Sequence, residues 1–308
     1  MTDNAKTLFA SFGMLLTAAI WGFAFVVVKD SLDIVPPIYM MAFRFTIASV
    51  VLSLVFFNKF KLSTKKILLH GFILGVLLFL AYAFQTIGCL YTTAGKNAFL
   101  TAIYVILVPF FLWIMTKRKP GIHVIFAALI ALVGIGLLTL QSDFSVNIGD
   151  LLTLICGIGY AFHMIFISRF NKTEDPILLT ILQLFTAAIL SWIFSPIWDG
   201  GFPKEVFYSS KAIYSLLYLG LISTMIAFFL QNLCQKYTPP TIAALLLSLE
   251  SVFGVLFSCI FLKEPLTTTM VIGCILIFFA IILAETKFSF LLKFIYENNA
   301  IIKTKSSF

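Results

Sequence analysis

Charge is what this chain has least of. Only 11% of its 308 residues are charged, against about 25% in a water-soluble domain. That scarcity excludes a soluble globular fold. Histidine is scarcer still. His70, His123 and His163 lie 53 and 40 residues apart, with no acidic residue within four positions of any of them, which excludes a helical zinc motif. No Gly-x-x-x-x-Gly-Lys phosphate loop occurs, so the chain carries no ATP drive of its own. The five cysteines (Cys89, Cys156, Cys234, Cys259, Cys274) contain no Cys-x-x-Cys pair and all fall in apolar segments, where they read as small apolar residues and not as a disulfide framework. No cofactor or metal site and no enzyme activity is expected.

What the chain has is apolar length. Apolar residues make up 61% of it, and the mean hydropathy is +1.08. A run of about 20 apolar residues spans a bilayer as a helix. Ten such runs are expected, roughly at 10–29, 37–57, 66–90, 93–115, 121–140, 149–169, 176–196, 210–235, 239–262 and 267–285. The fold class is therefore an all-α integral membrane protein in one membrane domain. The first run lacks a small-x-small cleavage site, so it reads as a retained helix and not as a signal peptide.

The formal charge of +8 is a topology signal and not a nucleic-acid footprint. With the N-terminus inside, the inner side holds Lys6, Lys59, Lys61, Lys65, Lys66, Lys117, Arg118, Lys119, Arg169, Lys172, Lys236, Lys287, Lys293, Lys303 and Lys305. The outer side holds Lys29, Lys96, Lys204, Lys211 and Lys263, and Arg44 lies within a span. Fifteen cations against five follow the positive-inside rule and put both termini in the cytoplasm.

The chain also repeats itself. Gln85-Thr-Ile-Gly-Cys-Leu-Tyr91-Thr92 resembles Gln231-Asn-Leu-Cys-Gln-Lys-Tyr237-Thr238 at an offset of 146 residues (231 − 85), and the same offset pairs Tyr104 with Glu250. Gly22-Phe-Ala-Phe25 resembles Gly159-Tyr-Ala-Phe162, and Lys117-Arg-Lys-Pro120 sits where Phe261-Leu-Lys-Glu-Pro265 sits. Each half holds five spans, an odd number, so the halves must lie in opposite orientations. Inverted repeats of this kind build secondary transporters. We divide the chain into a first repeat at 1–141, a second at 142–286 and a cytoplasmic tail at 287–308. The tail mixes Phe288, Phe290, Leu291, Phe294 and Ile295 with Lys287 and Lys293, as either an amphipathic surface helix or a disordered basic end does.

Charged groups inside a span each cost at least about 2.5–3.5 kcal/mol and so require a reason. Glu250 is twelfth of the 24 residues from Pro239 to Leu262, near the midplane. It is expected to line a polar cavity and to take a proton or pair with an amine. Tyr104 sits about as deep in a span of the other half. Gln85 and Gln231 lie in opposite thirds of the membrane, as symmetry-related gates would, or as amides bonding across helices. Trp21 lies too deep for an interfacial belt and is cavity wall or packing. The expected substrate-binding set is Trp21, Tyr82, Gln85, Tyr104, Tyr160, Gln231 and Glu250, set among spans one, three, four, six, eight and nine. Glu250 and His163 are the candidate coupling groups; His163 could equally be a satisfied core histidine. Arg44 is expected in a buried structural pairing, with Asp30 as one partner within reach.

These residues carry a resemblance. Trp21-Gly22, Phe43-Arg44-Phe45, Tyr91-Thr-Thr-Ala94 with Asn97-Ala98-Phe99-Leu100 and Pro109, and Ser248-Leu-Glu250-Ser-Val-Phe253 followed by Lys263-Glu264-Pro265-Leu266 are together similar to the drug/metabolite transporter superfamily, EamA type. The one departure is Ser251, where that family commonly has proline. The resemblance implies ten helices, cytoplasmic termini, two inverted repeats of five, and outward movement of small metabolites such as amino acids across the cytoplasmic membrane. The expected partners are a small-molecule substrate and the lipid bilayer, with no nucleic acid; the oligomeric state is open and a monomer is plausible. The alternative is a non-transporting membrane enzyme or receptor-like scaffold. An enzyme would need a cluster of catalytic groups, whereas alternating access uses two related halves.

Overall fold

In hydrocarbon every backbone N–H and C=O must find its partner within the chain, so long apolar runs become helices. The computed structural model, which describes residues 3–139 and 147–286, is all-helical over those residues. Its first half contains α1 (Asp3–Ser31), α2 (Pro37–Val55), α3 (Lys65–Tyr91), α4 (Ala94–Thr101), α5 (Tyr104–Thr116) and α6 (Ile122–Thr139). The second contains α7 (Ile148–Phe170), α8 (Pro176–Trp198), α9 (Ser210–Leu217), α10 (Ala227–Gln235), α11 (Pro240–Leu247), α12 (Leu249–Phe261) and α13 (Thr268–Thr286). A π-helical stretch, Tyr218–Ile226, joins α9 to α10. The expectations for the tail at 287–308, and for most of the loop joining the halves, lie outside the described residues.

Three spans are composite: Ala94–Thr116, Ser210–Gln235 and Pro240–Phe261. With these included, eight helices are long and apolar enough to cross a membrane. The 18-residue α6 and the 19-residue α13 bring the total among the described residues to ten. Span starts are set by local chemistry. Pro37, Pro176 and Pro240 occupy the first helical position, where a missing N–H costs nothing. Thr64, Thr93, Asn147, Asp175 and Ser209 accept hydrogen bonds from the first free amides of their helices, which would otherwise be unpaired.

Helix packing obeys a two-fold relation between the halves. Numbering the spans one to ten in chain order, spans two and seven (α2, α8), four and nine (α4, α12), and five and ten (α6, α13) each pack on their own counterpart. The remaining large contacts come as equivalent pairs. Span three packs on six (α3, α7) as eight packs on one (α10, α1); span one packs on nine (α1, α12) as six packs on four (α7, α5); span two packs on eight as seven packs on three. This is a five-plus-five inverted repeat.

Ion pairs tie the halves together at both faces. At the face where α1 begins, Lys59 meets Asp175 at 2.7 Å and Lys66 meets Glu174 at 3.1 Å. At the opposite face Lys96 meets Asp150 at 2.6 Å and Lys211 meets Asp30 at 2.8 Å. There the Asp199 carboxylate also accepts from the amides of Ile38 and Tyr39, each at 2.8 Å, capping α2 from the other half. Burial pushes the Asp175 carboxyl up, but Lys59 and the amides of Leu178 and Ile177 outweigh it and hold the group below its ordinary value. That tie is therefore present in full above the ordinary carboxylate range and lost as pH falls through the lowered value.

Small residues set the helix crossings. A Cβ on Gly22 would collide with Phe253 Cβ and stand 2.9 Å from the Gly254 amide, so α1 and α12 touch backbone to backbone, as small residues allow in membranes. The outer surface is apolar: Phe110, Ile114, Phe126, Val133, Ile197, Ile275 and Phe278 are exposed, as a lipid-facing belt requires. We predict that Gly22→Ala lowers the melting temperature of the detergent-purified protein. The overpacking penalty is about 1–3 kcal/mol. Gly136→Ala, whose Cβ meets nothing within 4 Å, should leave the melting temperature unchanged or raise it. Equal melting of the two variants would refute the close crossing.

Candidate functional site

Two broken helices make the site. Span four is interrupted between α4 and α5, where the amides of Ala102 and Ile103 bond three residues back, to Phe99 and Leu100. The Thr101 hydroxyl bonds back to Asn97 O at 2.8 Å, and Pro109 sits further along α5. Span nine is interrupted at Ser248, which is Ala102 plus 146, and here too the Ser251 amide bonds three residues back to Ser248. No proline is needed: the Ser251 hydroxyl bonds to Ser248 O and the Ser248 hydroxyl to Leu245 O, both at 2.7 Å. Serine hydroxyls that bond back in this way bend helices. Ser251 thus departs from the family pattern without removing the bend.

The breaks put Tyr104 at the start of α5 and Glu250 at the start of α12. The two side chains reach each other across the breaks, and the Tyr104 hydroxyl donates to Glu250 Oε1 at 2.9 Å. Both side chains are buried. They are the same position of the two repeats.

Around this pair lies a small cavity of about 40 Å³. All seven residues expected from the sequence line it: Trp21, Tyr82, Gln85, Tyr104, Tyr160, Gln231 and Glu250. Edge-to-face and tilted ring contacts form its wall, with Trp21 to Phe228 at 5.1 Å, Tyr82 to Tyr160 at 5.7 Å and Tyr104 to Tyr160 at 6.5 Å. Gln85 is held at both ends, donating to Thr101 Oγ1 at 3.1 Å and accepting from the Tyr160 hydroxyl at 3.0 Å. Gln231 Oε1, by contrast, is buried with no partner.

The spans expected to wall the cavity all do so, and span two adds Arg44. Arg44 does not pair with Asp30, which is bonded to Lys211 instead. Its Nε donates to Thr224 Oγ1 and its Nη2 to Ser223 Oγ, both at 2.9 Å, and the guanidinium lies 4.7 Å over the Tyr82 ring. Ser223 and Thr224 belong to the π-helical stretch, whose Ser223 carbonyl also accepts from Trp21 Nε1 at 2.9 Å. One distorted turn thus fixes two cavity residues. π-helical turns of this kind recur at functional sites.

His163 stands elsewhere. It is fully buried, with Nε2 2.7 Å from Gln183 Oε1, and is not part of the cavity lining. Sequence reasoning passed over Phe25, Asn97, Ser223 and Phe228, which do line it. Asn97 and Phe25 lay within quoted motifs, and Ser223-Thr224 is a polar pair inside an apolar span; Phe228 sits among 35 phenylalanines with nothing to mark it.

Ten apolar helices among the described residues, in an inverted repeat around an aromatic-walled cavity that carries a few polar groups, define a multi-pass membrane protein. The chain belongs to the EamA-like transporter family, whose model matches residues 8–140 and again 147–286. An uncharacterized transporter of Archaeoglobus fulgidus is 36% identical over 285 residues, covering 92% of this chain and 88% of that protein. The uncharacterized transporter YoaV of Bacillus subtilis is 26% identical, covering 90% and 97%. A solved crystal structure matches with a TM-score of 0.72 at 17% identity, covering 91% of this chain and 96% of that one, which shows the shared fold.

Removing the Tyr104 hydroxyl should test the central contact. Tyr104→Phe is expected to destabilise the protein by about 0.5–1.5 kcal/mol, and to do so far less when Glu250 is already Ala. Equal destabilisation in both backgrounds, read by unfolding in detergent, would mean the bond is not formed.

Proposed function

We propose that this protein is a secondary transporter that moves small metabolites, such as amino acids or related compounds, by alternating access around the Glu250 cavity. We further propose that it works outward across the cytoplasmic membrane with both termini in the cytoplasm, and that its moving units are the repeats at 1–141 and 142–286. The asymmetric distribution of Lys and Arg supports the orientation. One observation carries the reading: the two repeats place equivalent residues, Tyr104 and Glu250, in contact at 2.9 Å inside a shared cavity. Transporter substrates bind at such a repeat interface, near the level where discontinuous helices break.

In this reading Glu250 is the group that exchanges protons or pairs with a substrate amine. A buried carboxylate at the interface of two moving halves is exposed alternately to either side. Aromatic walls supply apolar contact, and the amides of Gln85, Asn97 and Gln231 orient polar groups. His163, held by Gln183 away from the cavity, takes no part in coupling in this scheme.

Glu250→Gln keeps volume and hydrogen-bonding reach but removes the titratable charge. We expect this variant to fold and insert normally. Its transport in everted vesicles should fall about tenfold or more, the equivalent of one lost charge-assisted contact of about 1.5 kcal/mol or more, or should lose its response to an imposed proton gradient. Wild-type rate with the wild-type gradient response would leave Glu250 a structural acid.

A further inference from the structure

The cavity holds a cation that no carboxylate touches. Arg44 is 2% exposed, yet among the described residues no carboxylate forms an ion pair with it, and its two hydrogen-bond acceptors are neutral hydroxyls. Those bonds engage two of the five N–H groups of a guanidinium and leave three. A buried charge normally has a counter-charge, and the nearby candidate, Asp30, is taken by Lys211. On the acceptor side the cavity is equally incomplete. Gln231 Oε1 and Asn97 Oδ1 are buried within the lining, and neither has a donor. Buried polar atoms of this kind are otherwise almost always paired.

These gaps have a shape. The lining offers an unbalanced planar cation at Arg44 and, besides it, the Glu250 carboxyl group and the side-chain carbonyls of Gln231 and Asn97. A solute that completes both carries an anionic group and, apart from it, a hydrogen-bond donor such as an ammonium. The anion is a carboxylate and not a phosphate. A phosphate monoester brings a charge of about −1.5 to −2, against a single lining cation, into a cavity that also holds an acid. A planar two-oxygen anion matches the donors that a fixed guanidinium has left.

We propose that Arg44 is the anchor for a single carboxylate on the transported solute, held in place by the π-helical turn through Ser223 and Thr224. The proposal rests on reading the cavity as the transport site. It assigns to Arg44, which the sequence suggests is a structural charge, the task of selecting substrates.

The test uses the full-length protein purified in detergent and reconstituted in liposomes. Four probes are compared: leucine, leucinamide, 4-methylpentanoate and inorganic phosphate. The first readout is protection against thermal unfolding, the second counterflow into the liposomes. Leucine and 4-methylpentanoate should protect wild type at concentrations about tenfold or more below leucinamide, the factor expected for one charge-assisted contact, and phosphate should not protect. In Arg44→Gln the preference for acid over amide should vanish, and Arg44→Lys should restore it in part, because the charge returns without the planar fork. A purely structural role for Arg44 would change overall stability without changing that ratio. Equal protection by leucinamide and leucine in wild type, better protection by phosphate, no protection by any carboxylate, or an unchanged ratio in Arg44→Gln would overturn the proposal. Should carboxylates protect through Arg44 while none of the probes crosses the membrane, the transport reading fails and the anion site stands. Should counterflow run equally with acid and amide, transport stands and the anion site fails.

Discussion

The hydrogen bond from Tyr104 to Glu250 depends on a constraint that governs the whole molecule. Irregular backbone at membrane depth survives only where protein covers it or where it lines a cavity. Spans four and nine both break, and each break is sealed by bonds three residues back and by hydroxyls bonding to carbonyls of the preceding turn. Because the halves are inverted, the two breaks arrive at one place. A tyrosine from one half then meets a carboxyl from the other, and the space left around them becomes the cavity.

The rest of the fold positions that cavity. Spans two and seven are fastened at one face by Asp199 on the α2 amides and at the other by Lys59 on Asp175. Spans five and ten pack on each other at the periphery, with Gly134 so close to Gly273 that a Cβ would stand 2.8 Å from its carbonyl. Between these paired elements, spans one and eight are joined by the Trp21 bond to Ser223 O, and spans three and six by Tyr160 to Gln85. Cavity residues therefore double as the contacts between the elements that any change of access would have to move.

Much of this was legible in the sequence, for physical reasons. A bilayer sets helix length so firmly that apolar runs located every span to within a few residues, and an odd number of spans per half fixed the inversion. Ionisable residues are rare enough in spans that Glu250 stood out unaided, and the repeat offset named Tyr104 as its counterpart. Arg44 was assigned a different environment because proximity along the chain favoured Asp30, whereas the tertiary fold brings Ser223 and Thr224 from 179 and 180 residues away. The π-helical turn that makes this possible has no periodicity signature. His163 was weighed as a coupling group from its chemistry alone, and only the tertiary fold brings Gln183 to it, with Oε1 2.7 Å from Nε2.

In the proposed cycle one cavity, shared by the two repeats, opens alternately to the two faces. Gln85 and Gln231 report on it directly, because they line the same cavity and are the positions that the inverted repeat is expected to put at opposite depths in the membrane. In a background with the five native cysteines replaced, Gln85→Cys and Gln231→Cys would each be probed from either side of oriented vesicles with a membrane-impermeant maleimide. Alternating access requires labelling of the two positions from opposite faces, with the rates shifting in opposite directions when a transported solute or a proton gradient is applied. Labelling of both from one face under every condition would contradict it.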